Sequence, residues 1–227
     1  MKLGVLFSGG KDSCLALSKA SKENEIVCLI GIISKNPASY MFHTPNIHIT
    51  KLQAKAMNLP LITLTTKGEK EKELLELKKA IIIAKKKYKI QGIVTGAVRS
   101  EYQKSRIEKI CSELQIKCIN PLWHKNQIEL LKEVVKSKIR AIISGVFAYP
   151  LEKEMLGKQI DNKIINKLSE LENKYKINPA GEGGETETTV LDAPFFKKEI
   201  KIINYKINYE NYSGTFEIKK AGLARKI

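Results

Sequence analysis

Six consecutive residues, Ser8-Gly9-Gly10-Lys11-Asp12-Ser13, have the makings of a phosphate site. Two glycines let a backbone come close to an anion, and exposed N–H groups at a helix start point towards it. Ser8 and Ser13 add hydroxyl donors, and Lys11 adds a positive charge. Asp12 is suited to a magnesium ion that bridges phosphate oxygens. The spacing matches neither a Walker A loop nor a GxGxxG dinucleotide fingerprint. A plain strand-to-helix turn accounts for the two glycines and leaves Ser, Lys, Asp and Ser in one short window unexplained. The expectation is an ATP site at residues 8–13, with Lys11 and Asp12 catalytic and Asp12 holding Mg2+.

Such a loop needs a strand before it and a helix after it. Residues 2–7 read as a buried strand and 12–22 as a helix. Further apolar runs at Ile26 to Ile33, Leu59 to Thr65, Gln91 to Thr95, 116–119 and 139–146 read as strands. Helices are expected between them at 46–57, around Leu74-Leu77-Ile81-Ala84-Tyr88, around Ile107-Ile110-Cys111-Leu114, and at 126–136. This alternation predicts an α/β fold, a parallel twisted sheet with helices on both faces. Ligands in such folds sit outside the carboxyl ends of the strands. Ser8, Ser34, Gly96 and Gly145 all fall at expected strand ends and become candidates to line one crevice. Past about residue 150 the pattern changes to a helix at 161–175, a Gly- and Glu-rich stretch, and two antiparallel strands near 199–208 and 213–220. The division expected is 1–148 for an ATP-binding domain and 149–227 for a smaller C-terminal α+β unit that binds substrate.

Composition narrows the classes. With 43% hydrophobic and 28% charged residues, the 227-residue chain is globular rather than disordered. No apolar run approaches the roughly 18 residues of a membrane span, and no leader precedes the first strand, so a membrane is not expected. Cys14, Cys28, Cys111 and Cys118 form no CxxC pair, which argues against zinc and iron–sulfur sites and for a reducing cytoplasm. The formal charge of +16 comes from lysines interleaved with glutamates, a habit of thermophile surfaces. Nucleic acid is therefore not the expected partner, and homo-oligomerisation is left open.

The window at 8–13 resembles the PP-loop, SGGxDS, of the N-type ATP pyrophosphatases. Three more segments carry a finer resemblance: Ser39-Tyr40-Met41-Phe42-His43; Gly96-Ala97-Val98-Arg99-Ser100-Glu101-Tyr102-Gln103 with Arg106, Cys111 and Pro121-Leu122-Trp123; and Gly181-Glu182-Gly183-Gly184-Glu185 with Thr188 and Asp192-Ala193-Pro194. Together they resemble the diphthine–ammonia ligase family over nearly the whole chain. That resemblance implies an adenine nucleotide alpha hydrolase-like fold and an archaeal-like enzyme. It implies a reaction in which ATP activates the carboxylate of diphthine on translation elongation factor 2, and ammonia displaces AMP. Where the family usually has an aromatic residue after Gly-Gly-Glu, this chain has Thr186.

On this reading Ser34, His43 and Gly96 join Ser8, Gly9, Gly10, Lys11, Asp12 and Ser13 around ATP. Glu182 and Glu185 are catalytic, and Tyr102, Gln103, Arg106, Glu187 and Thr188 face the substrate. The residues fit the chemistry on their own terms: a carboxylate is a poor electrophile until AMP becomes its leaving group, and charge building on the α-phosphate calls for cations and N–H donors. Diphthine carries a quaternary ammonium, which Glu182, Glu185 and Glu187 attract and the Tyr102 ring can face. The chain has no room for a glutaminase domain, so free ammonium is the expected nitrogen source. Blander roles compete: a solvated loop at 182–187, surface positions for Gln103 and Arg106, a packing role for His43, and core positions for Cys14 and Trp123. Two rival functions are a PP-loop tRNA-modifying enzyme that adenylates a base, favoured by the basic charge, and an ATP-binding sensor without turnover.

Overall fold

The computed structural model describes residues 1–34, 36, 45–69 and 73–226. Its first layer is a five-stranded sheet of β1 (Lys2–Leu6), β2 (Glu25–Ser34), β3 (Leu61–Thr66), β4 (Gly92–Val94) and β5 (Lys117–Ile119). The order is β3-β2-β1-β4-β5 with every neighbouring pair parallel. Chain direction away from β1 reverses between β1 and β4, which creates a topological switch point at their carboxyl ends.

Alternation along β1 explains the two-sided cover. Leu3, Val5 and Phe7 join one apolar cluster, where α1 (Lys11–Ala20) contributes Cys14, Leu15 and Leu17 and α2 (Thr50–Met57) contributes Ala54 and Ala56. On the opposite face, Cys28, Ile30 and Ile93 pack with Leu77 and Ile81 of α3 (Glu73–Tyr88) and with Ile107, Ile110 and Cys111 of α4 (Glu101–Glu113). The stripes read from three- and four-residue spacing therefore face inward.

A second sheet of order β7-β6-β9-β8 is antiparallel. It comprises β6 (Arg140–Val146), β7 (Thr186–Asp192), β8 (Glu199–Glu210) and β9 (Ser213–Ala224), with α5 (Gln127–Lys136) and α6 (Asn162–Tyr175) alongside. Asn211 and Tyr212, with φ of 48° and 59°, make the two-residue turn between β8 and β9. The first apolar cluster runs without a break into this sheet through Leu130, Ile143, Val190, Phe196 and Ile218. One core thus serves both layers.

Three expectations change. The strand at 139–146, read as part of the parallel sheet, pairs antiparallel with β7 and β9 instead. A short run buried on both faces looks the same in either kind of sheet, so periodicity cannot assign it. The helix expected from 46 begins at Thr50 behind a 3-10 turn, because Asn46 takes a left-handed φ of 65°. Trp123 is half-buried, with Lys104 Nζ 4.6 Å from its ring centre, while the neighbouring Leu122 is the fully buried anchor. Cys14 does lie in the core, and burial pushes its thiol far above the ordinary range, so the helix N-terminus yields no thiolate there.

A shared core predicts shared unfolding. Ile143→Ala, at a site 1% exposed, should lower the unfolding free energy by about 2–5 kcal/mol. Trp123 fluorescence and far-ultraviolet circular dichroism should shift to the same new midpoint in urea; two separate midpoints would contradict a common core.

Candidate active site

The loop between β1 and α1 is held from outside itself. Gly9 has a φ of 82°, and a Cβ there would sit 2.3 Å from Gln53 Oε1, so only glycine fits. The Gly9 carbonyl accepts the Val190 N–H at 2.9 Å and the Gln53 amide at 2.8 Å. Gln53 also donates to the Val190 carbonyl at 2.8 Å, tying α2, the loop and β7 together. The N–H of Lys11 donates to Thr188 Oγ1 at 3.0 Å. Gly10 caps α1 with no side-chain hydrogen bond, which leaves helix N-terminal charge for an anion. The Ser8 hydroxyl donates to Ser13 Oγ at 3.3 Å, and the buried Ser13 hydroxyl donates to the Gly10 carbonyl at 3.1 Å.

Two further loops close around this one. A Cβ on Gly96, just past β4, would lie 2.9 Å from the backbone of Asp12 and Ser13, so glycine lets the β4–α4 turn touch the start of α1. Ser100 then caps α4 by accepting the Gln103 N–H. The third loop, residues 181–184, is braced by two amide side chains and a carboxylate. Gln127 accepts the Ala180 N–H and donates to Asn178 Oδ1. Glu185 accepts from the Asn178 N–H, the Asn178 side chain and the Gly183 N–H, at 3.0, 2.6 and 2.9 Å.

Between the three loops lies a cavity of about 690 Å³, at the switch point of the parallel sheet. That is within the range of small-molecule and cofactor sites. Ser8, Gly10, Lys11, Asp12 and Ser13 form one wall, and Gly96 and Gln103 another. Glu182, Glu187 and Thr188 form the third, contributed by the C-terminal unit.

Other expected site residues stand elsewhere. Glu185 spends its carboxylate on its own loop. Ser34 hydrogen-bonds with Asn36 at the end of β2. The guanidinium of Arg106 covers the Tyr102 ring at 3.5 Å, so that face of the ring is taken. None of these four lines the cavity. His43 lies outside the described residues. Gly145 is in β6, where a Cβ would meet the Phe147 ring at 2.6 Å and Glu187 Cβ at 3.1 Å; its absence lets both side chains share one space.

Charge in the cavity is concentrated and partly desolvated. Lys11 is 3% exposed, and its ammonium donates to Asp12 Oδ2 at 2.8 Å and to the Ala180 carbonyl at 2.6 Å. Burial raises the Glu182 carboxyl above its ordinary value, with Asp12 adding to the shift; Lys11, the Arg99 N–H (3.1 Å) and the Arg99 charge oppose it. Burial likewise pushes Glu187 up from 4.5 to about 7, against the pull of Lys11 and with a push from Asp12.

Asp12 Oδ1 is buried without a hydrogen-bond partner. Among the described residues no group of three or more His, Cys, Asp or Glu could hold a metal alone. Magnesium commonly takes one or two carboxylates and fills the rest of its shell with phosphate oxygens and water, so a free oxygen on Asp12 beside a phosphate loop fits it.

Sequence reading missed Gln53, Gln127, Asn178, Phe147 and the whole of β7. The β-branched run Thr186-Glu187-Thr188-Thr189-Val190 was a strand signal, masked by the adjacent Gly–Glu stretch. Single amide side chains leave no periodic trace.

Two family models match the chain: the diphthamide synthase N-terminal domain over residues 1–118 and the diphthamide synthase C-terminal domain over residues 126–224. The diphthine–ammonia ligase of Bos taurus is 36% identical over 220 residues, covering 88% of this chain and 82% of the relative. That of Homo sapiens is also 36% identical over 220 residues, with the same coverage. Among solved structures, one described as the predicted subunit of tRNA methyltransferase from Methanocaldococcus jannaschii is 18% identical with a TM-score of 0.43, covering 86% of this chain and 98% of that one.

Two variants test the geometry. Thr188→Val strands a buried N–H on Lys11 and should cost about 1–3 kcal/mol in urea unfolding. Glu187→Gln should do the reverse. A carboxyl raised in the folded state burdens folding wherever it ionises, so the burden is absent below pH 4.5, grows up to about 7, and is complete above. The ligand-free glutamine variant should therefore melt higher than the parent at pH 8, by up to about 3 kcal/mol of stability. The two melting temperatures should converge by pH 4.5; a gap independent of pH would refute the assignment.

Proposed function

We infer function from a fixed premise: this chain belongs to the diphthamide synthase family. It is an ATP-dependent ligase, a diphthine–ammonia ligase, that converts the diphthine carboxylate of translation elongation factor 2 to the amide. One observation carries the reading: the phosphate loop and the acidic loop of the C-terminal unit wall a single cavity, so nucleotide and acceptor meet there.

In this reading, Ser8, Gly9, Gly10, Ser13 and the start of α1 hold the ATP phosphates. Asp12 Oδ1 would hold Mg2+, which would neutralise phosphate charge when bound. Gly96 keeps the β4–α4 turn against this loop. The diphthine carboxylate attacks the α-phosphorus, pyrophosphate leaves, and the acyl carbon acquires AMP as its leaving group. Lys11 sets the positive field in which that charge develops. Attack by ammonia at the acyl carbon then forms the amide and releases AMP. The three walls limit the water that reaches the activated acyl group in the interval. Glu182 gives the acceptor wall a negative potential suited to the quaternary ammonium of diphthine, and Glu187 gives it one suited to ammonium itself. Gln103 and Thr188 flank the acceptor, and Tyr102 with Arg106 forms the outer rim of α4. Glu185 acts through the shape of its loop, as a positioning residue. The reaction belongs in the cytoplasm, where the elongation factor works.

Incubation with ATP, magnesium, ammonium and diphthine-bearing elongation factor 2 tests this directly. AMP and pyrophosphate should form in step with the small mass decrease of a hydroxyl replaced by an amino group. Asp12→Ala should slow AMP formation by about 10²-fold or more. Turnover that needs no elongation factor, or an Asp12→Ala enzyme of normal rate, would overturn the reading.

A further inference from the structure

Ammonium is the stable form of the nitrogen donor at neutral pH, and it has no lone pair to offer. Something in the cavity has to bind the cation and remove a proton next to the activated acyl carbon. Among the described residues three carboxylates, those of Asp12, Glu182 and Glu187, line the cavity, and Glu185 stands behind its own loop. Asp12 is paired with Lys11, and Glu182 accepts the Arg99 N–H. Glu185 accepts three N–H groups of its own loop.

Glu182 and Glu187 each accept only a backbone N–H, and what sets Glu187 apart is its place on β7 next to Phe147. Its side chain lines the cavity, and among the described residues its carboxylate has no side-chain partner, only the Thr188 N–H beside it. It sits opposite Gly145 in the β6–β7 register, and the missing Cβ at Gly145 opens the space that the Phe147 ring and Glu187 share. Phe147 also lines the cavity. Glu187 Cβ and the Phe147 ring flank the same space, and an acidic side chain and an aromatic ring lining one pocket both attract a small ammonium ion. Thr188, the next residue, is bonded to the start of the phosphate loop, which fixes β7 relative to the nucleotide.

We propose that Glu187 is the catalytic base of the amidation step: it receives ammonium from the cavity and takes one of its protons. This rests on the ligase reading above. The Glu187 carboxylate gains a proton as one N–H bond of ammonium breaks. The freed lone pair of ammonia forms the C–N bond to the acyl carbon. The bond from that carbon to the adenylate oxygen breaks, its electron pair leaving on AMP, and the surplus proton on nitrogen passes to solvent. The charged groups acting on Glu187 are Lys11 and Asp12 on α1, and Glu182 lines the same cavity. A base works best when its affinity for protons lies near the working pH, and burial has moved Glu187 in that direction.

The two half-reactions separate the possibilities. In Glu187→Gln, pyrophosphate exchange into ATP, dependent on diphthine-bearing elongation factor, should stay within about twofold of the parent. Amidation by ammonium at pH 7 should fall by about 10²–10⁴-fold. Hydroxylamine, which is uncharged at neutral pH and needs no base, should still yield hydroxamate at close to the parental rate. The residual ammonium-dependent rate should climb about tenfold per pH unit, following free ammonia. Equal losses with ammonium and hydroxylamine, loss of pyrophosphate exchange, or an unchanged ammonium rate would each overturn the proposal. A parent enzyme without factor-dependent exchange would instead sink the ligase reading, and Glu187's role with it.

Discussion

The site depends on a stitch between the phosphate loop and strand β7. The Gly9 carbonyl and the Lys11 N–H are buried polar groups that the loop cannot satisfy by itself. Val190, Gln53 and Thr188 satisfy them, from positions 44 to 181 residues away. Each such bond contributes only about 1 kcal/mol net, yet leaving its partner unmet costs about 1–3. That asymmetry makes the C-terminal unit part of the nucleotide loop's structure. The unbroken apolar cluster beneath both sheets is the corresponding constraint in the core.

The same stitch concentrates charge. By fixing β7 against α1 it brings Glu187 and Glu182 into the field of Lys11 and Asp12. In the absence of ligands this is an uneasy arrangement: acids are held partly desolvated, with one buried lysine among them. A cation in the cavity, whether a metal ion on Asp12 or an ammonium group near Glu187, relieves it. Stability is given up where chemistry needs charge, a common bargain at active sites.

Glycine carries much of the local geometry, for different reasons at different places. Gly9 is required for its left-handed backbone, Gly96 for the close approach of two loops, and Gly145 for the room it leaves Phe147 and Glu187. Glu185 shows the opposite case, an acidic residue in a glycine-rich loop whose task is to hold N–H groups. Both the expected acidic cluster and the expected Tyr102 cation face are narrowed by this packing, since Glu185 and Tyr102 already have partners.

Much of the fold was legible locally. The alternation of strands and helices, the inward stripes of α3 and α4, and the loop at 8–13 with its strand and helix all follow from periodicity and from residue types within a few positions. The family resemblance rested on the same short segments. Three things were not legible. Strand β6 reads identically in either sheet; β7 hides behind a glycine-rich run; and the buried Gln53 and Gln127 and the half-buried Asn178 are single amides with no pattern around them. Short-range chemistry determines which segment can grip a phosphate or carry an acid. Which acids reach the cavity, and which are consumed by hydrogen bonds, was decided only when segments far apart in the chain packed together, because burial and pairing are properties of the assembled surroundings.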